Sequence, residues 1–254
     1  MSAPTEGDKQ SQLETLQGMA LKKYDAIVLS PIEPFNLLPG IIDCNNNDIP
    51  VINLGPGVNV DELENMGGHL DGRLTVDFEK QGEMAATDIV ERIGTGKVAI
   101  IQGISGAAQS EGRTNGAKKV FESTEGVEVV SVQPADWDSQ KAYNVAADLV
   151  KANPDLKAIF CCNDVMALAA SEALTDNNAK EGVLIYGVDG TEEAKSAIKE
   201  GRMDGSITYP SSVYAKAAVV MLMKLSQGME MNDVVYCPLD VINTDNISEF
   251  DGYK

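Results

Sequence analysis

Short apolar runs alternate with longer amphipathic stretches along most of the chain, and this alternation constrains the fold more than any other feature of the sequence. Each run is rich in β-branched residues and is bounded by Gly, Pro, Asn or Asp, which is typical of strands. The predicted strands are 25–29, 50–54, 97–101, 127–132, 157–161 and 183–188. Because the runs are apolar throughout, they favour parallel strands that are covered on both faces.

The stretches between the strands have the period of amphipathic helices. The predicted helices are 9–22, 34–46, 79–93, 111–124, 138–152, 163–176, 191–200 and 211–227. In the helix over 138–152, Ala142, Ala146 and Leu149 fall on one stripe, and Asn153-Pro154 ends the pattern. Strands that alternate with helices in this way predict an α/β fold with parallel sheets.

Two segments interrupt the alternation. Residues 55–72 are rich in glycine and too long for a simple connection between a strand and a helix. Residues 205–210 form a short strand-like crossing before the last long helix. A chain of 254 residues is long enough for two lobes, and we expect it to pass between them at these segments.

Charge and composition exclude several classes of function. The chain has 20 Lys and Arg against 39 Asp and Glu, a net charge of −19, which disfavours nucleic acid and anionic membranes as partners. A single histidine, His69, excludes zinc sites that need two histidines. The four cysteines have no CxxC spacing, so we interpret them as buried apolar residues. The sequence therefore predicts no metal, no cofactor and no catalytic residue.

Polar side chains collect directly after the predicted strands, where parallel α/β sheets bind their ligands. The candidate binding residues are Arg113, Trp137, Asn163, Asp189 and, in the crossing segment, Thr208. This set offers a guanidinium, an indole, an amide, a carboxylate and a hydroxyl. Hydroxyl groups of a ligand both donate and accept hydrogen bonds, and an aromatic face stacks on the C–H side of a sugar ring. The set therefore suits a neutral polyhydroxylated ligand.

Each candidate also has a structural alternative. Asn163 and Asp189 have the positions and residue types of helix caps. Arg113 alone is typical of a solvated helix charge, and Trp137 alone fits packing between lobes as well as ligand stacking. Taken one at a time these residues leave both interpretations open, but their positions at successive strand ends favour a binding site.

The chain resembles the sugar-binding proteins of bacterial ABC importers, in particular the branch that binds allose and ribose. The resemblance covers nearly the whole chain in order. It rests on five segments: SAPTEGDKQSQLETLQGM, GISGAAQSEGRTNGAKKVF, VQPADWDSQKAYNV, AIFCCNDVMALAASEAL and GVDGTEEAKSAI. The QPADWD and CND…GVDG motifs are fairly specific for this family, whereas the glycine turns are not.

The resemblance implies the type I periplasmic binding protein fold, with two Rossmann-like lobes that are joined by three crossovers and close over one sugar by a hinge motion. The implied N-terminal lobe comprises 1–76 and 209–241, and the implied C-terminal lobe comprises 77–208 and 242–254. The implied partners are a monosaccharide and the membrane subunits of an ABC permease, and we expect a monomer that does not bind nucleic acid.

The resemblance also gives each candidate residue a role. Arg113 matches the arginine that grips ring oxygens, and Trp137 matches the aromatic residue that stacks on the sugar. Asn163 and Asp189 match the amide and the carboxylate that bind hydroxyl groups. Thr208 stands where the family usually has glutamine, which shortens its reach.

Two departures from the family pattern affect these expectations. Where the family places an aspartate after the PVxxL strand, this chain has Gly55, so we expect a different sugar specificity. The family also begins with a strand and helix of about 35 residues, the size of one βα unit, ahead of the segment where this chain starts. We therefore expect an incomplete first lobe, in which strands 25–29 and 50–54 lack the neighbour they share. The family's export signal lies further upstream, which predicts an extracytoplasmic protein, periplasmic or lipid-anchored, with the signal absent from this chain.

Two other functions share parts of this pattern. The first is the effector-binding domain of a LacI-type transcription repressor, which would need a basic helix-turn-helix before the core. The second is a Rossmann-type dinucleotide enzyme, but Gly103-Ile104-Ser105-Gly106 followed by Gly112 does not spell G-x-G-x-x-G. We therefore predict a binding module of an importer and not an enzyme.

Overall fold

The structure is a computed structural model that describes residues 8–229 and 234–250. The chain folds into two compact units. The first comprises the chain up to Val76 together with Ser211–Cys237, and the second comprises Asp77–Pro210 and the chain from Pro238 onward. The chain therefore passes between the units three times. The sequence SAPTEGD at residues 2–8 is typical of a loop that follows a strand, and all of it except Asp8 lies outside the described residues.

Helices and strands alternate in both units. In chain order the elements are α1 Lys9–Ala20, β1 Ile27–Leu29, α2 Leu38–Asn46, β2 Val51–Leu54, α3 Val60–Asn65, β3 Gly72–Thr75, α4 Phe78–Ile93, β4 Gly96–Gln102, α5 Ala108–Ser123, β5 Val127–Pro134, α6 Ser139–Ala152, β6 Leu156–Cys161, α7 Asp164–Asp176, β7 Leu184–Val188, α8 Glu192–Lys199, β8 Gly205–Thr208, α9 Ser211–Ser226, β9 Val235–Tyr236, β10 Asp240–Asn243 and a 3-10 turn at Ile247–Phe250. All six predicted strands and all eight predicted helices are present, with ends that differ by a few residues.

The first unit contains a four-stranded sheet in the order β1-β2-β3-β9, in which every neighbouring pair is parallel. In the described residues no strand lies between the first two predicted strands, as expected for a first lobe that lacks the neighbour they share. β1 and β2 pair directly with each other, with Ile27 opposite Val51, so their facing backbone groups are satisfied. Val51 and Ile52 of β2 are fully buried, as a strand covered on both faces requires.

The second unit contains a six-stranded sheet in the order β10-β8-β7-β6-β4-β5. Its strands are parallel except for β10, which runs antiparallel to β8. Residues 209–210 and 238–241, which the sequence interpretation assigned to the first lobe, belong to the second unit. Asp240 and Val241 pair there with Thr208 and Ile207, because an edge strand offers free backbone partners. The central strands read as unbroken apolar runs because helices cover both faces.

The glycine-rich segment 55–72 is not a passage between the units, as the sequence predicted, because it lies within the first unit. It forms the helix α3, which Asn59 caps by accepting a hydrogen bond from Glu62 N at 2.8 Å. The strand β3 begins at the end of this segment. It was not predicted from the sequence because Gly72–Thr75 is short and includes an arginine. The other predicted passage, 205–210, ends where the chain leaves the second unit.

The cysteines are all buried and free, which confirms their interpretation as apolar core residues. In the part of the chain that the structure describes, no helix is long and apolar enough to cross a membrane.

Candidate functional site

The candidate site lies at the carboxyl edge of the six-stranded sheet in the second unit. Parallel strands end at the same edge, so the segments that follow β8, β7, β6, β4 and β5 lie side by side in that order. Thr208 ends β8 and Asp189 follows β7 directly, while Asn163 is the second residue after β6 and Trp137 lies in the turn after β5. The sequence prediction that these residues share one edge is confirmed, although their roles in binding stay predictions.

Arg113 lies on α5 and is only 6% exposed, so its interpretation as a solvated helix charge is wrong. Its guanidinium reaches the strand ends and is held on three sides. Nε donates to Gln81 Oε1 at 2.8 Å, Nη1 donates to the Cys162 carbonyl at 2.7 Å, and Nη2 lies 3.3 Å from Asp189 Oδ1. Hydrogen bonds from a charged donor are stronger than neutral ones, so this guanidinium has one fixed orientation.

Asp189 is the accessible partner of this arginine, with 37% of its side chain exposed. It does not cap α8, because Thr191 does so by accepting from Ala194 N at 3.1 Å. Burial raises the pKa of the Asp189 carboxyl, and the neighbouring guanidinium opposes this shift. Its backbone φ of +118° is unusual for a residue with a side chain. Such strain costs about 1–3 kcal/mol and concentrates at functional sites.

Asp164 is a second carboxyl at this edge, fully buried at the first residue of α7. Its Oδ1 accepts from Ser206 Oγ at 2.7 Å and its Oδ2 accepts from Thr191 N at 2.8 Å. Burial and then the charge of Asp189 raise the pKa of Asp164 to about 7. The carboxyl therefore ties the loop that carries Asp189 to the neighbouring strand β8.

Asn163 caps α7, because its Oδ1 accepts from Met166 N at 2.9 Å. The capping interpretation of this residue is thus confirmed. The cap uses only the carbonyl half of the amide. The Nδ2 donor makes no hydrogen bond with any residue that the structure describes, so it remains available to an acceptor outside the protein.

Trp137 is half-buried and packs over the end of β4. A Cβ on Gly103 would stand 2.1 Å from Cη2 and Cζ2 of the indole, so only glycine fits beneath the ring. The residue has a φ of +63°, and Asp136 before it has a φ of +55°. This pair of left-handed residues turns the chain after β5 and lays the indole across the strand end.

Thr208 is more enclosed than the other candidates, with 5% of the residue exposed. A Cβ on Gly190 would stand 2.2 Å from Thr208 Oγ1, so the backbone of the loop after β7 lies directly against the hydroxyl. Together with its short side chain, this position leaves Thr208 less accessible than Asp189.

Two further residues position the site and were not predicted from the sequence, Phe78 and Gln81 on α4. The Phe78 ring centroid lies 5.8 Å from Cζ of Arg113, within the range of a cation–π interaction. Gln81 is fully buried and accepts from Nε of the same arginine. The sequence contained a signal for Gln81, which shares a helical stripe with Ala85 and Ile89. A polar residue on an apolar stripe is buried and therefore needs a hydrogen-bond partner.

The corresponding edge of the first unit is built differently. Gly55, with a φ of +70°, donates to Leu74 O at 2.9 Å and accepts from Thr75 Oγ1 at 2.8 Å. Asn53 is 2% exposed and closes the same turn. Its Oδ1 accepts from Val58 N at 3.0 Å, and its Nδ2 donates to the carbonyls of Leu54 and Pro56 at 3.1 and 2.9 Å.

Comparisons with known proteins identify the family. Residues 1–230 match the family model described as periplasmic binding protein domain. The D-allose-binding periplasmic protein of Escherichia coli K12 is 34% identical over 224 residues, which are 87% of this chain and 72% of that protein. The ribose import binding protein of Bacillus subtilis is 26% identical over 235 residues, 92% of this chain and 73% of that protein.

A solved structure has the same fold. It is the crystal structure of an ABC transporter periplasmic solute binding protein from Actinobacillus succinogenes 130z with bound D-allose. The two structures superpose with a TM-score of 0.90 at 28% identity, over 95% of this chain and 85% of the other. The family match over most of the sequence and the shared α/β architecture lead to one conclusion: this chain belongs to the periplasmic binding protein family.

Proposed function

We propose that this chain is the substrate-binding component of an ABC-type sugar importer, and that it captures a monosaccharide of the allose or ribose kind. One observation carries the proposal. The guanidinium of Arg113, fixed by Gln81 and the Cys162 carbonyl, lies next to the accessible carboxylate of Asp189. A rigid donor beside an acceptor matches the hydroxyl groups of a sugar, each of which both donates and accepts.

The roles of the other candidates follow from their positions. We expect Trp137 to stack on the C–H side of the sugar ring, and Nδ2 of Asn163 to donate to a ring or hydroxyl oxygen. Thr208 contributes through Gly190 and the loop against which it packs, and less through its own hydroxyl. Buried polar groups that lose their partners penalise a wrong ligand, so this arrangement favours selectivity.

The relatives named above are sugar-binding proteins, and one solved structure is an ABC transporter component, which supports an importer over a repressor domain. The family consists of binding proteins, and we propose binding without turnover for this chain. Incubation with D-allose or D-ribose followed by NMR of the recovered sugar tests this, with an unchanged spectrum expected. A chemically altered sugar would contradict it.

Partners and location follow from the same proposal. Importers of this class present the loaded binding protein to membrane permease subunits on the outer side of the membrane, so we propose an extracytoplasmic protein that works with such a permease. We expect a monomer, and analytical ultracentrifugation tests this. The hinge closure that the resemblance implies stays a prediction. Small-angle X-ray scattering tests it, since closure lowers the radius of gyration when the sugar is added.

A thermal melt followed by the fluorescence of Trp137, the only tryptophan, tests the function itself. D-allose, D-ribose, other aldoses and alditols are added one at a time. A ligand at 100 times its Kd adds about 2.7 kcal/mol to the free energy of unfolding, which raises the Tm by several degrees. We expect one sugar or a few related sugars to do so. A panel without any shift would overturn the proposal.

A further inference from the structure

The helices α4 and α5 approach each other more closely than side chains allow. A Cβ on Gly82 would stand 1.9 Å from the Arg113 carbonyl oxygen, and a Cβ on Gly116 would stand 1.9 Å from the Glu79 carbonyl oxygen. Only glycine permits this backbone contact. Because the two backbones touch at Arg113 itself, the side chains of α4 have a fixed position relative to this residue.

Gln81 uses this contact to hold one edge of the guanidinium. Its Oε1 accepts the Nε hydrogen at 2.8 Å, while the Cys162 carbonyl accepts from Nη1 at 2.7 Å. These two acceptors fix both the plane and the rotation of the guanidinium. The Nη2 edge is then left to face Asp189, at 3.3 Å, and an incoming ligand.

The other half of the Gln81 amide has no partner. Nε2 is buried and makes no hydrogen bond within the described part of the chain. A buried donor without an acceptor destabilises the folded state, and an apolar side chain of similar volume would remove this cost. Methionine would also leave Nε of Arg113, a buried charged donor, without an acceptor, so the two effects on stability oppose each other. What only the glutamine supplies is an acceptor for Nε of Arg113.

We infer that Gln81 is a positioning residue for sugar recognition, which acts by holding Arg113 in the orientation that presents Nη2 to the ligand. This inference rests on the proposed function. Without the acceptor at Nε the guanidinium is free to turn, and its donors no longer have a fixed relation to Asp189.

A measurement without ligand tests the positioning step. Protein labelled with 15N at arginine gives Nε–H signals from Arg73, Arg92, Arg113 and Arg202, and Arg113→Lys identifies the third. We expect hydrogen exchange at Nε of Arg113 to become at least tenfold faster in Gln81→Met. Gln81→Glu retains the acceptor and should restore the slow exchange. Equal exchange in the wild type and Gln81→Met would overturn the inference.

Titration calorimetry with D-allose and D-ribose tests the consequence for recognition. We expect Gln81→Met to weaken binding about tenfold, and Gln81→Glu to retain most of the affinity. A merely structural role predicts unchanged binding for Gln81→Met, whatever the change in its Tm. Ser110→Ala is the matched control, since Oγ of Ser110 is another buried atom without a partner among the described residues. Its removal should change neither binding nor exchange at Arg113.

A double-mutant cycle shows whether the effect passes through Arg113. Lysine has no Nε–H, so in an Arg113→Lys background Gln81→Met should have no further effect on affinity. The same loss in both backgrounds would overturn the inference. If the wild type binds a sugar and Gln81→Met binds it equally well, the role of Gln81 is overturned but the proposed function is not. No binding of either sugar by the wild type, with no shift from any sugar in the panel, overturns the proposed function and the role of Gln81 with it.

Discussion

The carboxyl edges of both sheets are formed by the ends of parallel strands, yet the side chains at the two edges differ. In the second unit Arg113 of α5 and the carboxyls of Asp164 and Asp189 meet at the strand ends. Asp189 is partly exposed, and Nδ2 of Asn163 has no partner among the described residues. In the first unit the turn after β2 is closed by Asn53 and Thr75, whose polar groups are occupied by the turn itself. The fold supplies the edge, and only the residues decide whether it can bind.

This difference predicts which carboxyl edge contributes to sugar affinity. We call the edge of the four-stranded sheet the first edge and that of the six-stranded sheet the second edge. A polar group that is satisfied within the protein gives up little when a ligand arrives. A fixed guanidinium with one open edge gains charged hydrogen bonds. We therefore expect substitutions at the second edge to change binding, and substitutions at the first edge to change stability.

The largest expected effect is that of Arg113→Ala. Hydrogen bonds from a charged group are worth about 1.5–3 kcal/mol each, so losing two of them should weaken sugar binding about a hundredfold or more. Titration calorimetry with the sugar that raises the Tm measures this. Arg202→Ala, an exposed arginine of the same unit, is the control and should bind normally. Near-native affinity in Arg113→Ala would overturn the site assignment.

Asn53→Ala should have the opposite profile. It removes three hydrogen bonds from a buried turn and leaves backbone groups without partners, so it should lower the free energy of unfolding by about 2–3 kcal/mol. Urea unfolding followed by circular dichroism measures this, with the exposed Asn47→Ala as control. Sugar affinity should change less than threefold. A large loss of affinity at unchanged stability would reverse the proposed contrast between the edges.

The carboxyls at the second edge should also make the stability of the second unit depend on pH. Burial and the Asp189 charge raise the pKa of Asp164 from 3.8 to about 7. Between these values the folded state holds a proton that the unfolded state releases, so the contribution to stability falls as pH rises from about 4 to about 7. We expect the Tm reported by Trp137 to exceed that of Asp164→Asn by several degrees more at pH 5 than at pH 8.

Asp155→Asn is the control for this titration. Its carboxylate is exposed, and a hydrogen bond from Lys97 lowers its pKa, so it titrates below this window. The Tm difference between wild type and Asp155→Asn should stay constant from pH 5 to pH 8. A constant difference for Asp164→Asn as well would contradict the assigned titration.

The smallest expected effect tests whether a carboxylate added at the first edge changes sugar selectivity. Gly55→Asp places a carboxylate where the family resemblance implies one, at a φ of +70° that costs a residue with a side chain about 1–2 kcal/mol. The nearest side-chain atom to the new Cβ is Ser30 Oγ at 3.5 Å, so there is room for it. We expect a Tm lower by a few degrees and an altered order of preference among the sugars. An unchanged preference would mean that this edge does not contribute to selectivity.

Periodicity alone predicted most of the elements, because long helices and apolar strands carry strong local signals. It also placed Arg113, Trp137, Asn163 and Asp189 at one edge, since the end of a parallel strand follows from chain order. The short strands β3, β9 and β10 were not predicted. Strands of two to four residues are specified by the neighbour they pair with, and that neighbour is distant in sequence.

The sequence by itself determined the α/β class, the edge at which functional groups gather and the family resemblance, because these depend on residue order. Only the tertiary structure decided that Arg113 is buried, that Thr191 rather than Asp189 caps α8, and that Gln81 holds the guanidinium. Each of these depends on two segments that meet in space. The contact between α4 and α5 that brings Gln81 to Arg113 joins residues 32 positions apart, and no local pattern encodes such a distance.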